Sequence, residues 1–242
     1  MIQVFIIPPE TILESYVTKT GFATVSQVAG WFPQYNFIIN ADGWTGSKSN
    51  SIWFSDGTAK NTQQMDWRPW INFDKNNAFK FGWVWNTFWN NYNAVSGTRF
   101  IVENGVPNSR AGGWSPELNA RTAIGIGYDG SLVVAVVDGR DYPDPEGLSL
   151  LGLAELMADN GCKTAIDLDG GGSTTLAING QIANTPEDDG IQRERAVINH
   201  LCFRLSAIPG TEPPPPPPPP VNGEKMLQYD AGGNLVKTWI PE

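Results

Sequence analysis

A strand that ends in a carboxylate and runs directly into three glycines leaves a chain few ways to continue. The run from Thr164 to Leu168 is apolar and β-forming. Asp169 follows it, then Gly170-Gly171-Gly172, then the hydroxyl residues Ser173, Thr174 and Thr175. Three residues without a Cβ allow a sharp turn and let a ligand approach backbone N–H groups closely. The plain structural reading is a glycine-rich hairpin leading to a strand at Leu176–Ile178. The functional reading is a reaction centre for an oxygen-rich substrate, with Asp169 at the strand end and hydroxyl donors beside it.

The rest of the body follows the same short-strand grammar. The N-terminal run Met1 to Pro9 reads as a strand. Further strands are predicted at Phe37–Asn40, Ser51–Phe54, Thr98–Glu103, Thr122–Tyr128, Leu132–Val137 and Ala196–Leu205. Two helices are predicted. One covers Thr24–Phe32, starting at a hydroxyl residue and stopping before Pro33. The other covers Ser149–Asn160: Ser149 suits the N-cap, Leu150, Leu153, Ala154 and Met157 recur at helical spacing, and Gly161 suits the position after the end. That helix precedes the strand bearing Asp169 and should pack across its sheet. Many strands with few helices in mixed order imply an α+β domain built on a mixed multi-stranded β-sheet.

Eight prolines at 213–220 close this domain. Consecutive prolines form a stiff polyproline II rod of ~3.1 Å per residue, about 25 Å in all. The organisation is therefore a body at 1–210, a linker at 211–220 and a C-terminal segment at 221–242. Two apolar stretches around Gly232-Gly233 read as a β-hairpin. A lone hairpin is marginal in water, so this one is expected to dock on a partner or a neighbouring subunit.

Composition narrows the partners. The net charge of −9 argues against nucleic acid and anionic membranes, which favour basic surfaces. No apolar run approaches the ~20 residues that span a bilayer, and the N-terminus lacks the charge pattern of a signal peptide. An extracellular or virion-associated location is expected over a cytoplasmic one. The two cysteines, Cys162 and Cys202, lie at the edges of strands expected to be near neighbours; buried free thiols are expected over a disulfide. Ten tryptophans include a dense aromatic window with Trp67, Trp70, Trp83, Trp85 and Trp89. Sugar rings stack on such faces, but large aromatics usually fill cores, and Trp83 and Trp85 are expected to be buried.

Four motifs accompany the glycine run in order: Asn119-Ala120-Arg121-Thr122-Ala123-Ile124-Gly125, Val137-Asp138-Gly139-Arg140, Asn184-Thr185-Pro186 and Arg195-Ala196-Val197-Ile198-Asn199. Together with Leu168–Ser173 they resemble the phosphodiester glycosidase family over residues ~20–206. An early family segment, Asn-Gly-Gly-Phe-Phe, corresponds to Asn40-Ala41-Asp42-Gly43-Trp44, so Asp42 and Trp44 depart from it. The resemblance implies a hydrolase that releases a sugar of the N-acetylglucosamine type from a sugar-1-phosphodiester, in a cell-wall or surface glycan, with no required cofactor.

Such a reaction has a phosphate as leaving group, with a pKa near ~6, so it depends less on a general acid than on cationic and N–H stabilisation of departing oxygens. Asp169 is the candidate nucleophile or base, and Asp138 the second carboxylate, although Asp-Gly after a strand is also a turn signal. Arg121, Arg140 and Arg195 supply planar forks for phosphate. Gly170, Gly171, Gly172, Ser173 and Thr174 are candidate substrate contacts, as are Asn40 and Asn199. Trp44 and Trp114, in Gly-rich loops, are candidate substrate walls. His200 alternates with Asn199 and takes no catalytic role. The acidic loop of Asp138, Asp141, Asp144 and Glu146 has oxygen ligands suited to Ca²⁺ but no EF-hand spacing.

Two other readings remain at this stage. One is a non-catalytic glycan-binding or phage-tail module that keeps the fold. The other is an ordinary glycoside hydrolase, which needs a placed general acid that the sequence does not identify.

Overall fold

The computed structural model describes residues 1–62, 68–83, 91–139, 147–209, 226–229 and 235–239. The polyproline run lies outside them. The chain divides into two units, Met1–Pro209 and Gly210–Glu242. In the second, Met226–Tyr229 pairs antiparallel with Leu235–Trp239.

The first unit is β-rich, with three multi-stranded antiparallel sheets and three α-helices among the described residues. The largest sheet has the spatial order Ile2–Ile7, Leu132–Val137, Arg121–Gly127, Cys162–Asp167, Arg99–Glu103, Val106–Pro107. A second runs Gln181–Ile182, Leu176–Ile178, Phe37–Asn40, His200–Leu205, Ile12–Val17. A third contains Thr58–Asn61, Trp53–Ser55, Asn93–Ser96, Pro69–Phe73 and Phe79–Trp83.

Period-2 alternation sorts these strands into layers. From the first sheet Phe5, Ile124, Val134, Val136 and Ile166 enter one core with Phe37, Ile39, Leu201 and Phe203 of the second, and Trp53, Ile71, Phe73 and Val95 of the third. The intervening residues Ala123, Val133, Ala135, Val137 and Ala165 face the other way and pack on Leu150, Leu153, Ala154 and Met157 of the helix Leu150–Asp159. On the outer face of the second sheet, Tyr16, Ile38, Ala177 and Cys202 meet Val25, Val28 and Ala29 of the helix Val25–Trp31. The result is a helix on the outer face of each of the first two sheets, whose inner faces share one core with the third. Each fully buried Leu or Ile in it contributes about 2 kcal/mol of hydrophobic stabilisation.

Local signals start and stop both helices. Ser149 Oγ accepts the Gly152 N–H at 3.0 Å, and Gly161, at φ +81°, provides the left-handed residue that ends the helix. Thr24 and Gln27 form a reciprocal capping box. The third helix, Ala111–Trp114, is a single turn.

Phe37–Asn40, Leu132–Val137 and Leu176–Ile178 form strands with the predicted bounds. Other predictions need correction. The last strand begins at His200, because Val197 instead bridges to Ala23 and Asn199 turns toward the loop at Ala41 and Asp42. The strands Ile12–Val17, Pro69–Phe73 and Asn93–Ser96 were not predicted. Asn93–Ser96 is polar at both ends, and Asn93 holds it in place by accepting the N–H groups of Val17 and Asp56 and donating to Ser15 O. The cysteines are buried free thiols, yet their strands are not neighbours: Cys162 lies in the first sheet and Cys202 in the second, in separate core clusters. Trp83 is half-buried, with its ring edge-on to Phe100 at 4.7 Å; Trp67, Trp85 and Trp89 lie outside the described residues.

Candidate functional site

The chain passes from the first sheet to the second at Asp169. Leu168 N–H donates to Thr122 O at 2.8 Å, the last rung on the first sheet. Asp169 N–H then donates to Ala41 O at 2.9 Å, just past the end of a strand of the second sheet. Asn40 Nδ2 donates to Asp169 O at 2.6 Å, while its Oδ1 accepts Thr122 Oγ1–H at 2.8 Å and Thr175 N–H at 3.2 Å. The Asn40 amide thus ties both sheets to the crossing strand.

Two of the glycines meet specific demands of the turn that follows. Gly171 sits at φ +59°, where a side chain is disfavoured, and its N–H donates to Ala120 O at 2.8 Å. At Gly172 a Cβ would lie 2.5 Å from Asp188 Oδ1 and 2.6 Å from Arg195 Nη2. Arg195 donates through Nε and Nη2 to Asp188 Oδ1, so this ion pair lies directly against the turn. The residues Gly171–Ser173 form a 3₁₀ turn.

A cleft of about 300 Å³ opens at the end of the Cys162–Asp167 strand. Asp167, Asp169, Arg99, Arg121, Gly170 and Gly171 line it, with Thr98, Ser115 and Asn119. Arg121 is held by donating from Nε to Leu148 O and from Nη2 to Ser115 Oγ and Glu117 O. Burial raises the pKa of Asp169 above the ordinary carboxylate value; the Ser173 hydroxyl, Arg195, the Gly170 N–H and Arg68 pull it back. Burial pushes Asp167 up to about 7, against the N–H of Arg99 and the charges of Arg121, Arg99 and Arg68. Two carboxyls and two guanidiniums therefore share one concave site.

Behind it lies a fully buried ion pair. Arg68 Nη1 donates to Asp42 Oδ1 at 2.8 Å, and Asp42 Oδ2 accepts from Ser49 Oγ, Ser96 Oγ and the Ser51 N–H. Burial lifts Asp42 to about 6 despite these partners. Next to it, a Cβ on Gly43 would lie 3.4 Å from Asp169 Oδ1, so this loop borders the Asp169 carboxylate.

The other sequence candidates fall in several places. Asn199 Oδ1 accepts the Asp42 N–H at 2.9 Å, and its Nδ2 is buried without a hydrogen-bond partner among the described residues. Thr174 is buried, with Oγ1 3.4 Å from Thr122 Oγ1. Trp44 is half-buried and makes an edge contact with Phe22 at 5.3 Å. Asp138 is not among the cleft residues: it accepts from Asn184 Nδ2 at 2.8 Å and Thr185 N–H at 3.0 Å, anchoring a segment that also bonds to Thr174 O and Leu176 N–H. Arg140, Asp141, Asp144, Glu146 and the Trp114 side chain lie outside the described residues. Among the described residues no cluster of three His, Cys, Asp or Glu side chains could hold a metal. His200 is buried between Thr18 Oγ1 and Ala23 O, and burial lowers its pKa to about 3.

Sequence reasoning missed Asp167, Arg99 and Arg68. Asp167 carried a legible signal, since residues two apart at a strand end project to the same side. Arg68 carried none, because its partner Asp42 comes from a distant part of the chain.

Comparison with known proteins adds ancestry to this geometry. The family model for phosphodiester glycosidase matches residues 17–204. The SPbeta prophage-derived uncharacterized protein YomE of Bacillus subtilis (strain 168) is 32% identical over 167 residues, 67% of this chain and 23% of that protein. N-acetylglucosamine-1-phosphodiester alpha-N-acetylglucosaminidase of Mus musculus is 39% identical over 71 residues, 29% of this chain and 13% of that enzyme. The catalytic domain of the zebrafish enzyme of that name, solved in a form auto-inhibited by its pro-peptide, has the same fold. It matches with a TM-score of 0.69 at 20% identity over 84% of this chain and 82% of that one. The chain spans less than a quarter of the length of these curated relatives. Among the described residues no helix is long and apolar enough to cross a membrane.

Proposed function

Because the chain belongs to the phosphodiester glycosidase family, we propose that it is a hydrolase cleaving the glycosidic bond of a sugar-1-phosphodiester, with a sugar of the N-acetylglucosamine type. The observation that carries this reading is the cleft in which Asp169 and Arg121 stand together at the glycine turn.

The division of labour follows from the chemistry of the leaving group. A departing phosphate needs its charge neutralised more than it needs a proton, and guanidinium groups do this with directed N–H donors. Arg121, fixed in the cleft by donating to Leu148 O, Ser115 Oγ and Glu117 O, would meet phosphate oxygens from a held position. Asp169 serves the anomeric carbon, as nucleophile or as base for water. Burial raises its pKa above the ordinary carboxylate value, which makes it a better proton acceptor than an exposed carboxylate. The Asn40 amide holds the crossing strand in place through Asp169 O.

The prophage-derived relative supports placing the substrate in a cell-wall or surface glycan that a phage encounters. The test is hydrolysis of UDP-N-acetylglucosamine and of an N-acetylglucosamine-1-phospho-mannose diester by the wild type and Asp169→Asn. Sugar release by the wild type, lost in the variant, supports the reading. No release from a well-folded wild type on either substrate overturns it in favour of a glycan-binding module.

A further inference from the structure

The cleft holds a second carboxyl that hydrolysis of a phosphodiester does not need. Asp167 is only 7% exposed, yet it lines the same cleft as Asp169. One of its oxygens accepts the Arg99 N–H at 2.8 Å, and the other has no hydrogen-bond partner among the described residues. A purely structural carboxylate at a strand end would normally satisfy both oxygens with backbone or side-chain donors. This one presents half of its hydrogen-bonding capacity to a cleft built for sugar chemistry.

We propose that Asp167 donates a proton to the leaving oxygen, and that it thereby extends the activity of this site to sugars linked to an ordinary alcohol. The proposal rests on the phosphodiester glycosidase reading for the role of Asp169. In the added reaction the C1–O bond breaks with its electron pair on the leaving oxygen, which takes the Asp167 proton and departs as a neutral alcohol. Water supplies OH to C1, and its remaining proton goes to the Asp169 carboxylate. Exchange with solvent then returns Asp169 to its ionised form and Asp167 to its protonated one.

The charged groups around Asp167 come from every strand against it. Arg99 lies on one neighbouring strand and Arg121 on the other, Arg68 reaches it electrostatically, and Asp169 follows two residues later. Burial outweighs the three cations, so Asp167 holds a proton near neutral pH. Two carboxyls lining one cleft, one to give a proton and one to take it, is the arrangement that acid-assisted glycoside cleavage requires.

The experiment measures kcat/KM for a series of N-acetylglucosaminides ordered by leaving-group basicity: the phospho-mannose diester, a nitrophenyl, a phenyl and a methyl glycoside. Wild type, Asp167→Asn and Asp167→Glu are compared. The ratio of wild type to Asp167→Asn should rise along the series, to ~10²-fold or more at the methyl glycoside, the range for a lost general acid. Asp167→Glu should restore part of the lost activity. Wild-type cleavage of the methyl glycoside should fall as pH rises through about 7, a limb that the phosphodiester does not share. If Asp167→Asn fails to fold, this difference between the two pH profiles carries the test alone. A uniform ratio across the series overturns the proposal, as does phosphodiester cleavage by the wild type with no cleavage of the methyl glycoside. Loss of all activity in the wild type, the diester included, overturns the underlying reading as well.

Discussion

Replacing Arg68 with Met should show how much the buried ion pair behind the site matters. The Arg68 and Asp42 side chains are 8% and 1% exposed and meet at 2.8 Å. Met keeps much of the apolar stem of Arg, so the change removes chiefly the charge and its hydrogen bonds. Leaving one member of such a pair buried and uncompensated costs about 3–5 kcal/mol, which in a chain of this size lowers Tm by roughly 6–20 °C. The cost should depend on pH in a defined direction. Asp42 already has a folded pKa raised to about 6, so the folded state holds its proton more tightly than the unfolded chain does. The stability associated with that proton is present at low pH and lost as pH rises through the folded value. Removing Arg68 raises that value further, so the variant should be penalised much less at pH 5 than at pH 8. The double variant Asp42→Asn/Arg68→Met removes both charges and should recover at least half of the loss at pH 8. Urea unfolding followed by tryptophan fluorescence at the two pH values measures each cost. An Arg68→Met variant within about 1 kcal/mol of wild type at pH 8, or one equally destabilised at both pH values, would refute the argument.

Other changes probe separate parts of the structure. Gly172→Ala places a Cβ against Asp188 and Arg195 and should cost about 1–3 kcal/mol by overpacking while lowering diester hydrolysis; unchanged melting and turnover would show that the ion pair yields freely. Arg121→Lys loses the planar fork that Leu148, Ser115 and Glu117 hold and should lower kcat/KM for the diester by ~10²-fold, measured by sugar release. Leu153→Ala, in the layer beneath the first sheet, should cost about 2–5 kcal/mol in chemical denaturation. Cys162 and Cys202 should resist a thiol reagent in the native protein and both react once it is unfolded, because both are buried and burial pushes each thiol up, Cys162 to about 12.

The local parts of this fold were legible from residue order. Ser149, the spacing of Leu150, Leu153, Ala154 and Met157, and Gly161 specify a helix with its ends, since caps and periodicity act over a few residues. Leu132–Val137 and Phe37–Asn40 are legible because apolar runs of that length between turn residues have few alternatives. Asn93–Ser96 was not legible, because its place depends on what Asn93 bonds in other strands. In the site, the motifs marked Asp169 and Arg121, and the cleft contains both. They also marked Asp138, whose carboxylate instead receives Asn184 and Thr185.

What the sequence determined alone is therefore local: a carboxylate at a strand end, a glycine turn whose left-handed residue is Gly171, and the ordered motifs that place the chain in its family. Tertiary structure decided the electrostatics. Whether Asp42, Asp167 and Asp169 carry charge depends on how deeply two stacked sheets bury them and on which arginines the fold brings alongside. Burial and Coulombic fields act through space between residues far apart in the chain, so no local pattern records them.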